Sequence, residues 1–559
     1  MDDQEINSGA STTTPDRERA LERAGSTTSF HRGDHHVVGT PDVHEAGIKI
    51  QRAKSAYEAY AGHEEKPTKV EVFGWCFYGL CSYFIHTVLI PIVFPLIISQ
   101  IASPMPDDIT QRNIKVMNGK GYICTHKEML LYNRLTNRTI TVHNAKYTPL
   151  EWTSISWAVG LALAAPLLGL VSTPLDRGPH QSVIALVATV VGATFCLPAG
   201  FFRTVWIFPP YIAAIVAAST IPAAYHTRHL GMMIRGFTSP NLRRSQFPLR
   251  RAAGGWLSLA AAATGSLGSA VISSFAFHML REKEEFVSLW IVSIFSGIKW
   301  LLGSLHFVTS NRISLAVTPA SRSNHAFSIL KFPHAVGSLA SAFLSSVSTM
   351  SVFTGAVLYL VGDLCFRPNS LLYFWLSYFL FPLFSLPILH PIQHLLRANA
   401  VKMQILGFFL TAATSGVGFA YRFRDWKAHQ ALVFAAVQGT SNGLLHAFSR
   451  VLLMDCAPRG KEGAFSTWFV WIKFLGSLVG FAIASAHPRN VAVSFGLGFC
   501  TAIAAVVVLI FGNVSDLGGA LAAGHVKDYD VVNEDRDRGS PVSGVDDGVE
   551  VKQPVQEMP

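Results

Sequence analysis

The stretch Ser449–Phe469, SRVLLMDCAPRGKEGAFSTWF, interrupts a chain that is almost purely apolar on either side. Within it, Pro458-Arg459-Gly460-Lys461-Glu462 gathers a proline, a glycine and three charges. Proline and glycine reverse a chain, and Arg/Lys held between apolar runs marks a short loop on the cytoplasmic side of a bilayer. The stretch therefore reads as a tight turn between two membrane-spanning helices.

Composition supports that reading along the rest of the chain. Half of the 559 residues are hydrophobic and only 14% are charged, against about 25% in an ordinary soluble domain. Between Glu151 and Asp516 the acids are Asp176, Glu282, Glu284, Glu285, Asp363, Asp425, Asp455 and Glu462 alone. The uncharged runs between them reach roughly 20 residues, enough to cross a hydrocarbon core of about 30 Å. A polytopic membrane protein is expected. No P-loop, zinc-spaced Cys/His set or nucleophile elbow stands in a convincing context, so neither an enzyme nor a metal or other cofactor is expected. The net charge of +10 hides an acidic tail, because Asn513–Pro559 holds ten acids and four bases. The remaining basic charge clusters near span ends, which points to the lipid bilayer and a small-molecule substrate as partners and away from nucleic acid. Oligomeric state is left open. Seven cysteines are scattered, and Cys124 is alone in its loop, so no disulfide framework is expected.

Residues 1–72 read as a disordered cytoplasmic tail, and 513–559 as an acidic one. Twelve spans are expected at about 73–100, 152–175, 181–202, 204–224, 252–280, 286–306, 335–362, 368–396, 402–421, 428–452, 464–488 and 490–512. The break at 307–334, a basic cytoplasmic loop, separates an N-terminal half (73–306) from a C-terminal half (335–512), six helices each. Two such halves are the architecture of many secondary transporters. With both tails inside, the inner loops hold fifteen Arg/Lys, among them Arg228, Arg235, Arg250 and Arg251, and the short outer loops eight. That bias places the tails in the cytoplasm. The segment 101–151 is then lumenal or extracellular, with strand-like alternation in NRLTNRTITVHN and a glycosylation triplet at Asn137.

Polar residues inside spans are costly in lipid, so they are the candidates for function. Lys473 lies about nine residues into its span, roughly 14 Å at 1.5 Å per residue and near the bilayer midplane. It is read as a cation facing a cavity, where it can attract a substrate carboxylate. Lys299 sits nearer the inner end of its helix and is expected to snorkel to the interface. His86 is mid-span, either packed or handling a proton. His278, His306, His390 and His394 lie near span ends and are placed at interfaces. Arg450 and Asp455 are placed in interfacial charge contacts. No Asp or Glu lies deep in any span, which argues against a carboxylate proton relay unless His86 substitutes. Gly476 and Gly480 form a GxxxG face, and Gly254, Gly255, Gly265 and Gly268 recur at the same position in the first half, allowing close helix approach.

The segment GLLHAFSRVLLMDCAPRGKEGAFSTWFVWIKFLGSLVGFAIA, Gly443–Ala484, resembles the autophagy-related vacuolar amino-acid effluxer family of the major facilitator superfamily. Ala447, Ser449 and Arg450 match its Gln-Ala-x-Ser-Arg motif, with His446 at the glutamine. Pro458, Gly460, Lys461, Glu462 and Phe465 match its turn, and Lys473 and Phe474 its Gly-Lys-Phe, with Ile472 at the glycine. Gly74, Trp75, Tyr78, Thr87, Phe94 and Pro95 are similar to the family's first helix, while Gly79 and Ser82 stand where many relatives carry an acid and an Asn. Gly169, Asp176, Arg177 and Gly178 are similar to the superfamily's turn after helix two.

The resemblance implies a twelve-helix major facilitator bundle that exports neutral amino acids from a vacuole-like compartment by alternating access. The vacuolar membrane is the implied location, with the plasma membrane as the other. Candidate cavity residues are Lys473, His86, Ser82, Thr87 and His446. Asp176, Arg177, Arg450, Asp455, Lys461 and Glu462 are candidates for a cytoplasmic charge gate. The alternatives are a transporter of another small organic solute and a transport-inactive membrane scaffold or sensor.

Overall fold

A computed structural model of the chain describes residues 66–102, 115–117, 123–178, 180–238, 242–282, 286–310, 325–366, 368–424 and 426–527. The tail through residue 65, residues 311–324 of the 307–334 connection and the acidic segment from 528 onward lie outside the described residues. Among those described, twelve long helices follow in order. They are α1 (Lys69–Ala102), α2 (Pro149–Arg177), α3 (Gln181–Thr194), α4 (Phe208–Phe237), α5 (Phe247–Glu282), α6 (Phe286–Gly303), α7 (Pro333–Gly362), α8 (Pro368–Leu395), α9 (Ala400–Ala420), α10 (Ala428–Asp455), α11 (Glu462–Ala486) and α12 (Val491–Phe511).

Ten of these regions are long and apolar enough to cross a membrane. Of the other two, α3 has only 14 residues. In α10 the apolar run is broken by Gln438, Thr440, Asn442, His446 and Arg450, several of which prove to face the interior.

The twelve helices form two sets of six. α2 packs on α11 and α5 on α8, so these pairs join the halves. This is the two-half arrangement of six helices each that the sequence leads one to expect. Both described chain ends leave from one side, called here the terminal face; the α1–α2 and α7–α8 connections lie on the far face.

Close approach at the helix crossings depends on small residues. A Cβ added at Gly476 would lie 2.5 Å from the Phe343 carbonyl, and one at Gly480 2.5 Å from the Val347 carbonyl. Thus α11 lies directly against the backbone of α7, as GxxxG faces allow. The opening stretch forms the α10–α11 turn. The Lys461 N–H donates to the Pro458 carbonyl at 3.1 Å, and Gly460 takes φ 73°, the glycine position of a type II turn.

Several expectations are corrected. α4 runs to Phe237, not 224, because YHTRHLGMMIRGF keeps one apolar face and finds ionic partners for its other. Arg228, Arg235 and Arg250 are therefore buried helix residues, not loop anchors. Lys299 does not snorkel. It is 7% exposed and donates to the Gly268 carbonyl at 2.7 Å, 4.9 Å from the centre of the Phe84 ring. His306 is fully buried, whereas His278 and His394 are exposed. Residues 513–527, expected to belong to the tail, fold back onto the terminal face. There β1 (Leu242–Arg243) pairs in parallel with β2 (Val526–Lys527), and Arg251 meets Asp516 at 2.9 Å. His525 donates from Nε2 to the Ala457 carbonyl at 2.9 Å. Burial, with Arg250 and Arg235 beside it, holds this ring well below the ordinary histidine pKa, so it packs as a neutral donor.

The far face carries a further correction. Cys124 is not solitary. It is disulfide-bonded to Cys365, 241 residues away in the α7–α8 connection. Sequence spacing cannot reveal such a pair, since its members lie in different halves and meet only after assembly. The connector also contributes a helix, His126–Thr136, whose Tyr132 hydroxyl donates to the Pro488 carbonyl at 3.2 Å. Two antiparallel strand pairs flank that helix, and Asn137 after it is exposed. The two halves are thus covalently joined on this face. A protease site engineered between residues 311 and 324 should yield a cleaved chain that migrates as one species without reductant. Cys124→Ser should separate into two fragments without it. Separation of the cleaved wild-type chain in non-reducing gels would contradict the pairing.

Candidate functional site

A cavity of about 120 Å³ lies between the halves, room for several waters at roughly 10–15 Å³ each on this measure. Its walls come from α1, α4, α5, α7, α8, α10 and α11. Local sequence explains why α1 opens toward it. Pro91 cannot supply its helical N–H, and Ile85–Val93 relaxes into a π-helix. That segment turns His86 and Thr87 inward. His86 Nε2 is 2.8 Å from the Ser219 hydroxyl, and its ring stacks on Phe474 of the other half with centres 3.5 Å apart. Thr87 bonds the Ser269 hydroxyl at 2.8 Å, while the Ser82 hydroxyl donates to the Tyr78 carbonyl at 2.8 Å.

Lys473 enters from α11. Its ammonium donates to Nδ1 of His446 on α10 and lies 5.8 Å from the centre of the Tyr83 ring on α1. Lys473, His86, Ser82, Thr87 and His446 thus share one cavity. Arg450 is relocated from its expected place. It does not pair with Asp455; its guanidinium points inward, donating to the Ser258 hydroxyl at 3.1 and 3.3 Å and lying 5.0 Å from the centre of the Trp75 ring. The reason is that Asp455, one turn further along, is taken by Arg250 at 2.8 Å.

No Asp or Glu among the described residues lines the cavity. Among the described residues neither Lys473 nor Arg450 has a carboxylate partner. Two buried cations with no counter-charge are costly unless something else neutralises them. The remaining lining is hydroxyl and aromatic. Ser345, Ser346 and Thr349 on α7 satisfy their hydroxyls on carbonyls of their own helix, at 2.8–3.0 Å, and Asn442 donates to the Tyr83 hydroxyl at 3.2 Å. Tyr83 and Asn442 belong to different halves, as do Lys473 and Tyr83, so the cavity spans the surface between the halves.

On the terminal side, carboxylates close the bundle. Asp176 at the end of α2 accepts from the N–H groups of Gly463 and Ala464 at 2.5 and 3.0 Å, the first turn of α11. It also lies 2.8 Å from His325 Nε2 and 3.7 Å from Arg228. A Cβ at Gly463 would come within 2.8 Å of that carboxylate, so a side chain there would push the carboxylate off its present position against the α11 N–H groups. Glu462 pairs with Arg235 at 2.5 Å. The Asp176 bonds to α11, Glu462–Arg235 and Arg250–Asp455 join one half to the other, while Arg228–Asp176 lies within the first half and Arg251–Asp516 ties that half to the segment after α12. Arg177 lies half-buried beside Asp176, while Lys461 is half-buried on the turn and makes no ion pair among the described residues.

Sequence reasoning missed Tyr78, Tyr83, Tyr378, Asn442 and His226 as cavity residues. Tyrosines in spans look like packing or interface residues until tertiary structure turns them inward. His226 was hidden by an early end to α4.

Neither a family model nor a curated protein matches the sequence. In three dimensions the chain is similar to the human organic anion transporter MFSD10 (TETRAN), with 13% identity over 79% of this chain and 100% of that one, and a TM-score of 0.49. It is also similar to FucP, a major facilitator superfamily transporter in the outward conformation, with 13% identity over 77% of this chain and 98% of that one, and a TM-score of 0.46.

Proposed function

We propose that the chain is a secondary transporter that carries a small organic anion, through a carboxylate-binding cavity between its halves, by alternating access. One observation carries this reading. Lys473 and Arg450 face the cavity from the second half, and no acidic side chain lines it. A carboxylate bound there would supply the missing counter-charge, in charge-assisted hydrogen bonds stronger than neutral ones. The Asp176, Arg235–Glu462 and Arg250–Asp455 contacts would be the terminal-side gate, broken and remade as the halves rock.

A neutral amino acid, as the resemblance implies, is the second reading. Its carboxylate would use the same cations, and the hydroxyls of Ser345, Ser346 and Thr349 with the Asn442 amide oxygen offer acceptors for its ammonium. No carboxylate is present to take that ammonium, so the anion is favoured.

The terminal face is proposed to be cytoplasmic, on the Arg/Lys bias. The far face would then meet an oxidising compartment, vacuolar lumen or cell exterior, where a disulfide persists. Asn137 on that face becomes a glycan acceptor. Proteoliposome uptake of labelled L-lactate, L-malate, L-leucine and L-alanine, with and without a pH gradient, tests the reading. Saturable flux of one or both of the first two, exceeding that of both amino acids, is expected. Flux of the amino acids alone would favour the second reading, and no flux at all would favour a scaffold or sensor.

A further inference from the structure

A second polar cluster, outside the cation pair, lies within the first half. His229 of α4 places Nε2 2.8 Å from Glu71, in the first turn of α1 at the terminal face. The ring of His306, in the turn that follows α6, is centred 5.1 Å from that of His229 and 5.9 Å from that of His226. His226 lines the cavity. His306 is fully buried, and neither of its ring nitrogens has a hydrogen-bond partner among the described residues. A buried polar atom left without a partner is costly, so an idle histidine at this point is unexpected. Aromatic rings enclose the row, with the ring centres of Tyr78 5.9 Å and Tyr225 6.1 Å from that of His306, and a ring rotation or a single water between neighbouring rings can bridge gaps of this size.

We propose that Glu71, His229, His306 and His226 form a proton relay from the terminal face to the cavity, which couples one proton to each carried carboxylate. The proposal rests on the transport reading above and adds its coupling ion. The proton passes from the Glu71 carboxyl to His229 and enters His306 at one ring nitrogen as the proton on its other nitrogen leaves for His226; rotation of the rings restores their starting tautomers, and Glu71 takes up the next proton from the terminal face. No bond between heavy atoms changes.

The charges facing the row set the coupling. Among the described residues Glu71 is its only carboxylate. On α4, Arg228 is turned away to Asp176 and Gln181. From α10, Arg450 and His446 face the same cavity as His226, and Trp75 lies between His226, on which it stacks at 4.6 Å, and the Arg450 guanidinium. A proton on His226 is repelled by Arg450 while the cavity is empty. An anion bound at Lys473 and Arg450 removes that repulsion, so anion and proton favour each other's binding reciprocally. A histidine row thereby replaces the intramembrane carboxylate that the sequence lacks.

The stacked Trp75 supplies a readout that requires no substrate, because an imidazolium quenches a stacked indole. The test is the fluorescence difference between full-length protein and Trp75→Phe, titrated from about pH 8 to about pH 4, either side of the ordinary histidine value of about 6.5. A step is expected that disappears in His226→Gln and shifts by roughly half a pH unit or more in both His306→Gln and Glu71→Gln. Absence of a step, or a step that neither variant moves, overturns the relay; His306→Asn replaces His306→Gln if the latter does not yield folded protein. In proteoliposomes with an entrapped pH dye, L-lactate or L-malate flux should be accompanied by proton movement in the wild type. His306→Gln should lose that proton movement tenfold or more while keeping counterflow exchange. Anion flux without proton movement in the wild type overturns the coupling. No flux of either anion overturns the transport reading instead, and the fluorescence titration then decides the relay by itself.

Discussion

Lys473→Ala is expected to lower uptake of the transported carboxylate about 10- to 100-fold at sub-saturating concentration. The magnitude follows from removing one charge-assisted hydrogen bond, about 1.5–3 kcal/mol. Lys473 is held by His446 and lies beside Tyr83, so its position is fixed before any ligand arrives, and little ordering entropy offsets the contact. Lys473→Arg should retain more activity than Lys473→Ala, since the charge remains. The protein should still fold, because removing one of two unpaired cations relieves repulsion between Lys473 and Arg450. A higher melting temperature with lost uptake is the signature of a binding residue. Uptake unchanged in Lys473→Ala would remove the lysine from the site.

Asp176→Asn is expected to have the largest structural effect, a destabilisation of the terminal face by about 3–5 kcal/mol, the usual cost of breaking a buried charge network from one side. The carboxylate accepts two α11 N–H groups and lies beside His325 and Arg228. An asparagine offers one oxygen, and its NH2 would face donors. Arg228, fully buried, loses its counter-charge. Thermal unfolding should begin at lower temperature. A Ser345→Cys reporter in the cavity should be alkylated faster by maleimide applied from the terminal face. Unchanged melting and labelling would mean that these contacts do not hold the halves together.

Much of the fold was legible because lipid enforces a simple rule: long apolar runs, broken by basic turns, become helices. The Pro458–Glu462 turn marked the break between α10 and α11, whose ends at Asp455 and Glu462 lie three and two residues from the expected ones. The readings of α4 and of His306 failed for a shared reason. A buried Arg or His in a membrane protein looks the same in sequence as one at an interface until its partner is known, and the partners of Arg228, Arg235 and Arg250 lie over 45 residues away or in the other half. Lys473 could be located by depth alone, since the midplane is the one place a lysine cannot snorkel from. Lys299 could not, because only the close approach of α1 and α5 at Gly268 makes a backbone carbonyl available to it. The disulfide was out of reach for the same reason.

The central claim is that the cavity selects a negative charge. Its most direct test compares ligands that differ in that charge alone: thermal stabilisation of the purified full-length protein by L-malate and L-lactate against their methyl esters. A ligand at 100 times its dissociation constant stabilises by about 2.7 kcal/mol. The melting temperature should rise with at least one of the free acids and stay unchanged with its ester, and the rise should vanish in Lys473→Ala. Equal stabilisation by acid and ester, or a rise that survives Lys473→Ala together with Arg450→Ala, would contradict the account.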